Sequence, residues 1–260
     1  MLTKQKTPPK ISRAAQHWQQ RAELVSSATA AYTSVVIDRA HNAKVWDVDG
    51  NEYLDFAGGI GAINVGHCHP EVVAAVREQA GRLLHTSFHV AAYPQYMEVC
   101  RKLIASIPGP ARKKAILFNS GSEAVENAIK FARGFTKRKA ILSFDNAFHG
   151  RTLLCLGLDG KYKPLRQGLG PFPGEIYHAR FPYAYRPPKG IKTSELTNYC
   201  LGELERFFLT EVAAEDLAAI IVEPIQGEGG FIVPTPGFLP ALRQLCDKHA
   251  IVLIIDEIQT

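Results

Sequence analysis

The chain closes on "IVLIIDEIQT", residues 251–260, where five apolar residues run straight into two acids. A carboxylate at the end of a buried strand loses its hydration unless a cation meets it, so Asp256 asks for a positive partner. Mg²⁺ carrying a nucleotide would serve, but it needs a GxxxxGK[ST] loop. "GLDGKYK" (157–163) has neither the spacing nor the hydroxyl. A protonated pyridine nitrogen would serve as well, because a carboxylate keeps that proton in place and lets the ring withdraw electrons.

Three other stretches put polar groups just after apolar runs. In "FNSGSEAVENAIK" (118–130), Asn119, Ser120 and Gly121 form a tight turn and a helix opens at Ser122. The unpaired N–H groups and positive end of a helix suit a phosphate. Equally, Ser120 followed by Glu123 reads as a capping box. "FDNAFHGRT" (144–152) offers Phe148, His149 and Arg151. Phe148 could stack on a planar ring and Arg151 could grip a carboxylate; a buried Phe and a surface Arg would look the same. "VEPIQGEGG" (222–230) sets Glu223 and Glu228 about a glycine turn, as binding groups or as caps of the next element. His85 and His89 have helical ligand spacing, yet no HExxH pattern or paired thiols accompany them, and no metal site is expected.

These groups need elements to hold them. Apolar strands at 115–118, 140–144, 217–224 and 251–255 alternate with helical patterns at 70–85, 93–107, 122–133, 194–209 and 237–250, the mark of a mostly parallel sheet with crossover helices. "AKVWDVDGNEYLDF" (43–56) is the exception, since two alternating runs flank Asp49-Gly50 and predict an antiparallel hairpin. The Pro/Gly-rich stretch 165–190 is expected to be a long loop.

The 260 residues are 46% hydrophobic with a formal charge of +5, enough apolar material for a large α/β core. The densest basic run, "TKRKA" (136–140), is read as a solvated turn, so no nucleic acid is expected. Five scattered cysteines without a CxxC pair argue for a reducing compartment, and no apolar stretch reaches membrane-span length, so a cytoplasmic location is expected. The first ten residues, with Pro8 and Pro9, read as a frayed start; a mitochondrial address is the alternative.

In order along the chain, "VWDVDGNEYLDFAGGIGAINVGHCHP", "NSGSEAVENAIKFAR", "AFHGRT", "IIVEPIQGEGGFIVPTPGFLP" and "IIDEIQT" together resemble the class III pyridoxal-phosphate-dependent aminotransferases. "DFAGGIGAIN" favours the 4-aminobutyrate branch. The resemblance implies the type I aminotransferase fold, with residues 1–65 belonging to a small domain and 66–260 to an incomplete large domain that binds pyridoxal 5′-phosphate. It implies transfer of an amino group from an ω-amino acid to 2-oxoglutarate, in a homodimer. Other members act as ornithine, acetylornithine or diamine aminotransferases or as racemases, and a truncated non-catalytic protein of this fold is a further alternative.

By the same resemblance Gly121 and Ser122 would hold the cofactor phosphate, Phe148 would cover the ring and His149 would support it. Asp256 would pair with the ring nitrogen, and Gln259 would lie near the phenolic oxygen. Arg151 would grip the substrate's distal carboxylate, Ile60 would line the pocket, Glu223 would be a supporting acid and Glu228 a gate. The family's Schiff-base lysine lies beyond the "DE-x-Q" segment and is not matched in this sequence, which is therefore expected to be the N-terminal portion of a longer enzyme and, alone, inactive.

Overall fold

A computed structural model describes residues 11–260; the readings made for residues 1–10 lie outside it. The chain divides into two compact units, which meet in sequence between Tyr96 and Met97.

In the first unit, helix α1 (Arg13–Leu24) opens after Ser12, whose hydroxyl accepts the Ala15 N–H. Strands β1 (Ile37–His41), β2 (Lys44–Asp47) and β3 (Glu52–Leu54) form an antiparallel sheet in that order. The predicted hairpin is β2–β3, with Gly50 at φ +92° in the turn. The Asp47 carboxylate fastens that turn, accepting the N–H groups of Asp49 and Asn51, the Asn51 amide and the Tyr53 hydroxyl. β1 was not anticipated, because "IDRAH" lacks a clear apolar alternation. A short turn, α2 (Gly58–Gly61), and α3 (Pro70–Ala80) follow. α3 ends at Ala80, capped by Gly81 and five residues short of its predicted end. α4 (Pro94–Ser106) begins in this unit and continues into the second.

The second unit runs α5 (Gly121–Thr136), β4 (Ala140–Phe144), α6 (Leu153–Leu158), β5 (Ile176–Ala179), α7 (Leu196–Thr210), β6 (Leu217–Val222), α8 (Phe238–His249) and β7 (Val252–Ile255). Its sheet has the order β5-β4-β6-β7 and every pairing is parallel. Side chains on a strand alternate between faces, and both faces here are covered. Leu142, Phe144, Ile220 and Val222 share a cluster with Leu196, Leu204, Phe238 and Leu242 of α7 and α8. Ile141, Ala219 and Ile221 pack on the other side with Val125 and Ile129 of α5 and Leu154 and Leu158 of α6. Burying each of the larger side chains contributes about 1.5–3 kcal/mol. The rings of Phe144, Phe181 and Phe238 meet edge-to-face at 5.7–5.9 Å.

Several expectations need correcting. Residues 115–118 form no strand, and Ile116 is half exposed. An apolar run becomes a strand only when a neighbour completes its ladder, and none of the described strands pairs with this one. The stretch 165–190 is not all loop: "IYHA" within it pairs with β4 as an edge strand, so the Pro/Gly punctuation marks the ends of β5 rather than excluding it. α6 escaped notice because "LLCLGL" is apolar all round and shows no amphipathic period. β7 is not fully buried, since it pairs on its β6 side and leaves Ile255 41% exposed. Within the basic run, Arg138 is half-buried. Its guanidinium donates to the carbonyls of Leu217, His249 and Ala250 at 3.1–3.2 Å, pinning the start of β6 to the end of α8.

Candidate functional site

Parallel strands bring their carboxyl ends to one edge, where open α/β sheets bind ligands. At that edge β4 runs into Asp145–Arg151, β6 into Glu223 and β7 into Asp256. At its centre the Asp256 Oδ2 lies 2.7 Å from His149 Nδ1, with both side chains almost wholly buried. An ionised carboxylate can only accept, so Nδ1 carries the hydrogen. The second oxygen, Oδ1, takes the Ile258 N–H at 3.2 Å, a long bond that leaves accepting capacity. His149 Nε2 is buried with no partner among the described residues.

Glu223 braces the β4 loop from the next strand. Its carboxylate accepts the Phe148 N–H at 2.9 Å and the Gly227 N–H at 3.0 Å. Burial pushes its carboxyl above the ordinary range against those two bonds, and the Asp256 charge adds to the rise. Gln226 completes the brace, donating to the Asp145 carbonyl at 2.8 Å.

The start of α5 comes to the same place. Ser120 is the cap, its hydroxyl accepting the Glu123 N–H at 3.2 Å, while Glu123 reaches back to the N–H and side chain of Asn119. The capping reading of Ser120 therefore holds, with Glu123 meeting one residue earlier than a standard box. The N–H groups of Gly121 and Ser122 lie in the first turn, beyond reach of any carbonyl of the helix. A Cβ on Gly121 would stand 3.2 Å from Ile258, and one on Gly150 only 2.2 Å from the Ser122 hydroxyl oxygen. That hydroxyl accepts the Arg151 N–H at 3.2 Å. One chain of contacts thus links Asp256 through His149, Gly150 and Arg151 to Ser122.

Phe148 is half-buried and the Arg151 side chain is exposed. Gln259 packs its Cγ 3.0 Å from where a Gly227 Cβ would stand. Glu228 sits in the loop after β6, with Lys161 3.8 Å from its carboxylate and bonded to its carbonyl. Ile60 belongs to the first unit, 76% exposed at φ +59°.

Asp159 was missed. It is fully buried, accepts the His149 N–H at 2.6 Å, and burial pushes its carboxyl up to about 6. The signal was the one used for Asp256, an apolar run ending on an acid in "LLCLGLD". The edge as a whole gathers three buried acids, Asp159, Glu223 and Asp256, beside one helix start. It can hold an anion at Gly121–Ser122 and a protonated heteroaromatic nitrogen at Asp256, whose charge would relieve the repulsion among the acids.

Comparison with known proteins supplies the context. The family model described as aminotransferase class-III matches residues 25–260. The chain is 46% identical to the 4-aminobutyrate aminotransferase GabT of Escherichia coli, over 93% of this chain and 55% of that protein. It is 48% identical to the 5-aminovalerate aminotransferase DavT of Pseudomonas aeruginosa, over 87% of this chain and 51% of that protein. An (S)-enantioselective omega-transaminase from Thermomicrobium roseum superposes with a TM-score of 0.87 at 33% identity, covering 96% of this chain and 58% of that one. The chain spans about half the length of the curated relatives it matches.

Proposed function

Since the chain belongs to the class III aminotransferases, we propose that it forms the cofactor-binding part of an enzyme that moves an amino group from an ω-amino acid, 4-aminobutyrate first, to 2-oxoglutarate. The observation that carries this reading is the buried Asp256–His149 pair joined by one run of contacts to the Gly121–Ser122 helix start.

Those residues suit pyridoxal 5′-phosphate. The glycine at 121 lets the helix start close against Ile258, the Gly121 and Ser122 N–H groups and the Ser122 hydroxyl hydrogen have no partner among the described residues and can meet a phosphate, and Asp256 keeps an accepting oxygen. When bound, the cofactor supplies an electron-accepting ring that carries the amino group between donor and acceptor. Asp256 would hold a proton on the ring nitrogen. His149 would fix the Asp256 carboxylate through their buried 2.7 Å bond. Phe148 would cover one ring face, its backbone held by Glu223. Gln259 would stand near the phenolic oxygen, and Arg151 would take the substrate's distal carboxylate. Ile60 would line the substrate pocket. Glu228 would act as a gate for the two substrates in turn, and the whole protein would work as a homodimer.

The test is made on the full polypeptide encoded by the gene that contains this sequence. Adding pyridoxal 5′-phosphate should produce a visible absorbance band that D256N weakens, and 2-oxoglutarate should be aminated at the expense of 4-aminobutyrate faster than of 5-aminovalerate or ornithine. No band would sink the cofactor assignment. A band with faster turnover of 5-aminovalerate or ornithine would move the donor to that neighbour.

A further inference from the structure

We propose that Asp159 is a positioning residue, whose carboxylate fixes the backbone of His149 and so aims the imidazole at Asp256. The 2.6 Å bond from the His149 N–H to Asp159 Oδ1 is buried, and Asp159 Oδ2 has no partner among the described residues. Two acids therefore hold one histidine, Asp159 by its main chain and Asp256 by its ring. His149 Nε2 has no hydrogen-bond partner among the described residues, so no second polar anchor competes with the main chain in setting where Nδ1 points.

Asp159 is itself held rigidly. It caps α6 through its N–H to the Cys155 carbonyl at 3.0 Å, and the Arg166 guanidinium donates to its carbonyl at 3.2 Å. The next residue, Gly160, donates to the Ala147 carbonyl at 2.9 Å. A Cβ at Gly160 would lie 2.3 Å from the Asn146 nitrogen and 2.4 Å from the Phe144 oxygen, so these two stretches of backbone touch directly. The segment 159–160 is a brace locked against the loop that carries His149. The charged and titratable groups facing the Asp159 carboxyl are His149 on that loop, Arg166 in the turn after α6, Glu223 at the end of β6 and the Cys155 thiol of α6; His178 of β5 bonds the neighbouring Leu158 carbonyl. With its carboxyl pushed up to about 6, Asp159 changes charge within a range where the folded protein can be examined.

The inference rests on the proposed site only for its consequence in catalysis, and its test needs no cofactor. The full polypeptide, free of ligand and labelled with ¹⁵N-histidine, is followed by NMR, the His149 imidazole N–H being assigned by its loss in H149Q. In the wild type this proton should lie far downfield, exchange slowly, and step in shift with a midpoint near pH 6. D159N keeps an accepting oxygen, so the resonance should survive while the step disappears. D159A should broaden the signal or speed its exchange about tenfold or more, as loss of the bond implies. A folded D159A with unchanged exchange would overturn the proposal. Should D159A fail to fold, D159S, whose oxygen is one atom nearer the main chain, is read by the same exchange, and unchanged exchange there would overturn it. A failure of the chain to bind pyridoxal 5′-phosphate would leave these readings unaffected.

Discussion

At the scale of single residues the site is a problem of buried charge. Asp256 and His149 are tolerable inside because each satisfies the other at 2.7 Å. H149L would leave the carboxylate, among the described residues, with the Ile258 N–H as the hydrogen-bond donor to its side chain, and urea unfolding at pH 7 should show a loss of about 1–3 kcal/mol. On the proposed role of Asp256, D256N should cut kcat of the cofactor-loaded full polypeptide on the order of 10²-fold or more, the range found when a proton-managing group is lost. Asp159 makes a prediction of the opposite sign. Its folded pKa, about 6, lies above its ordinary 3.8, so the folded state binds more protons than the unfolded one between those values. Stability is then lost as pH rises through that window, and the penalty, up to about 3 kcal/mol, is fully present above pH 6. Glu223, raised by burial, acts in the same direction. Unfolding measured at pH 4.5 and 7.5 should therefore show D159N gaining on the wild type at the higher pH. Asp256 was legible as a residue because a long apolar run delivers an acid to a sheet edge. Its bond to His149 was not, since 107 residues separate the pair.

Elements are where steric detail decides. Gly160 meets backbone atoms that cannot give way, so G160A should destabilise by about 3 kcal/mol or more in thermal or urea unfolding. Gly134, exposed in the last turn of α5 with nothing within 4 Å of a Cβ, is the control. G134A should raise stability by about 0.5–1 kcal/mol, because alanine loses less freedom in a helix. Removing the three carbonyl contacts of the Arg138 guanidinium by R138A should cost about 1–3 kcal/mol without touching the site edge. Long amphipathic helices such as α5 and α8 and the runs "AILSF" and "LAAIIV" were readable in the chain, since their periods carry their burial. β5 and the failed strand at 115–118 were not, because strand formation depends on a neighbour that no local pattern names.

For the whole molecule, the two units differ in what they bury. α1, α2 and α3 of the first unit hold no buried residue, nor does α4 across the boundary, whereas β4 and β6 of the second are buried throughout. Amides exchange through local opening where few apolar contacts resist it. Native-state hydrogen exchange should therefore find the slowest amides in β4 and β6 and much faster ones in α3 and α4; equal protection would refute this account of where stability resides. The order of motifs along the chain, the alternation that makes a parallel sheet, and the acid that ends its last apolar run are properties of sequence alone, because each is written in local composition and spacing. That Asp159, His149 and Asp256 form one line, that Glu223 holds the backbone of Phe148, and that Gly150 leaves room for the Ser122 hydroxyl were settled only by the tertiary structure. Those contacts join residues from different strands and helices, and they exist only once parallel pairing has brought the carboxyl ends of β4, β6 and β7 to one edge.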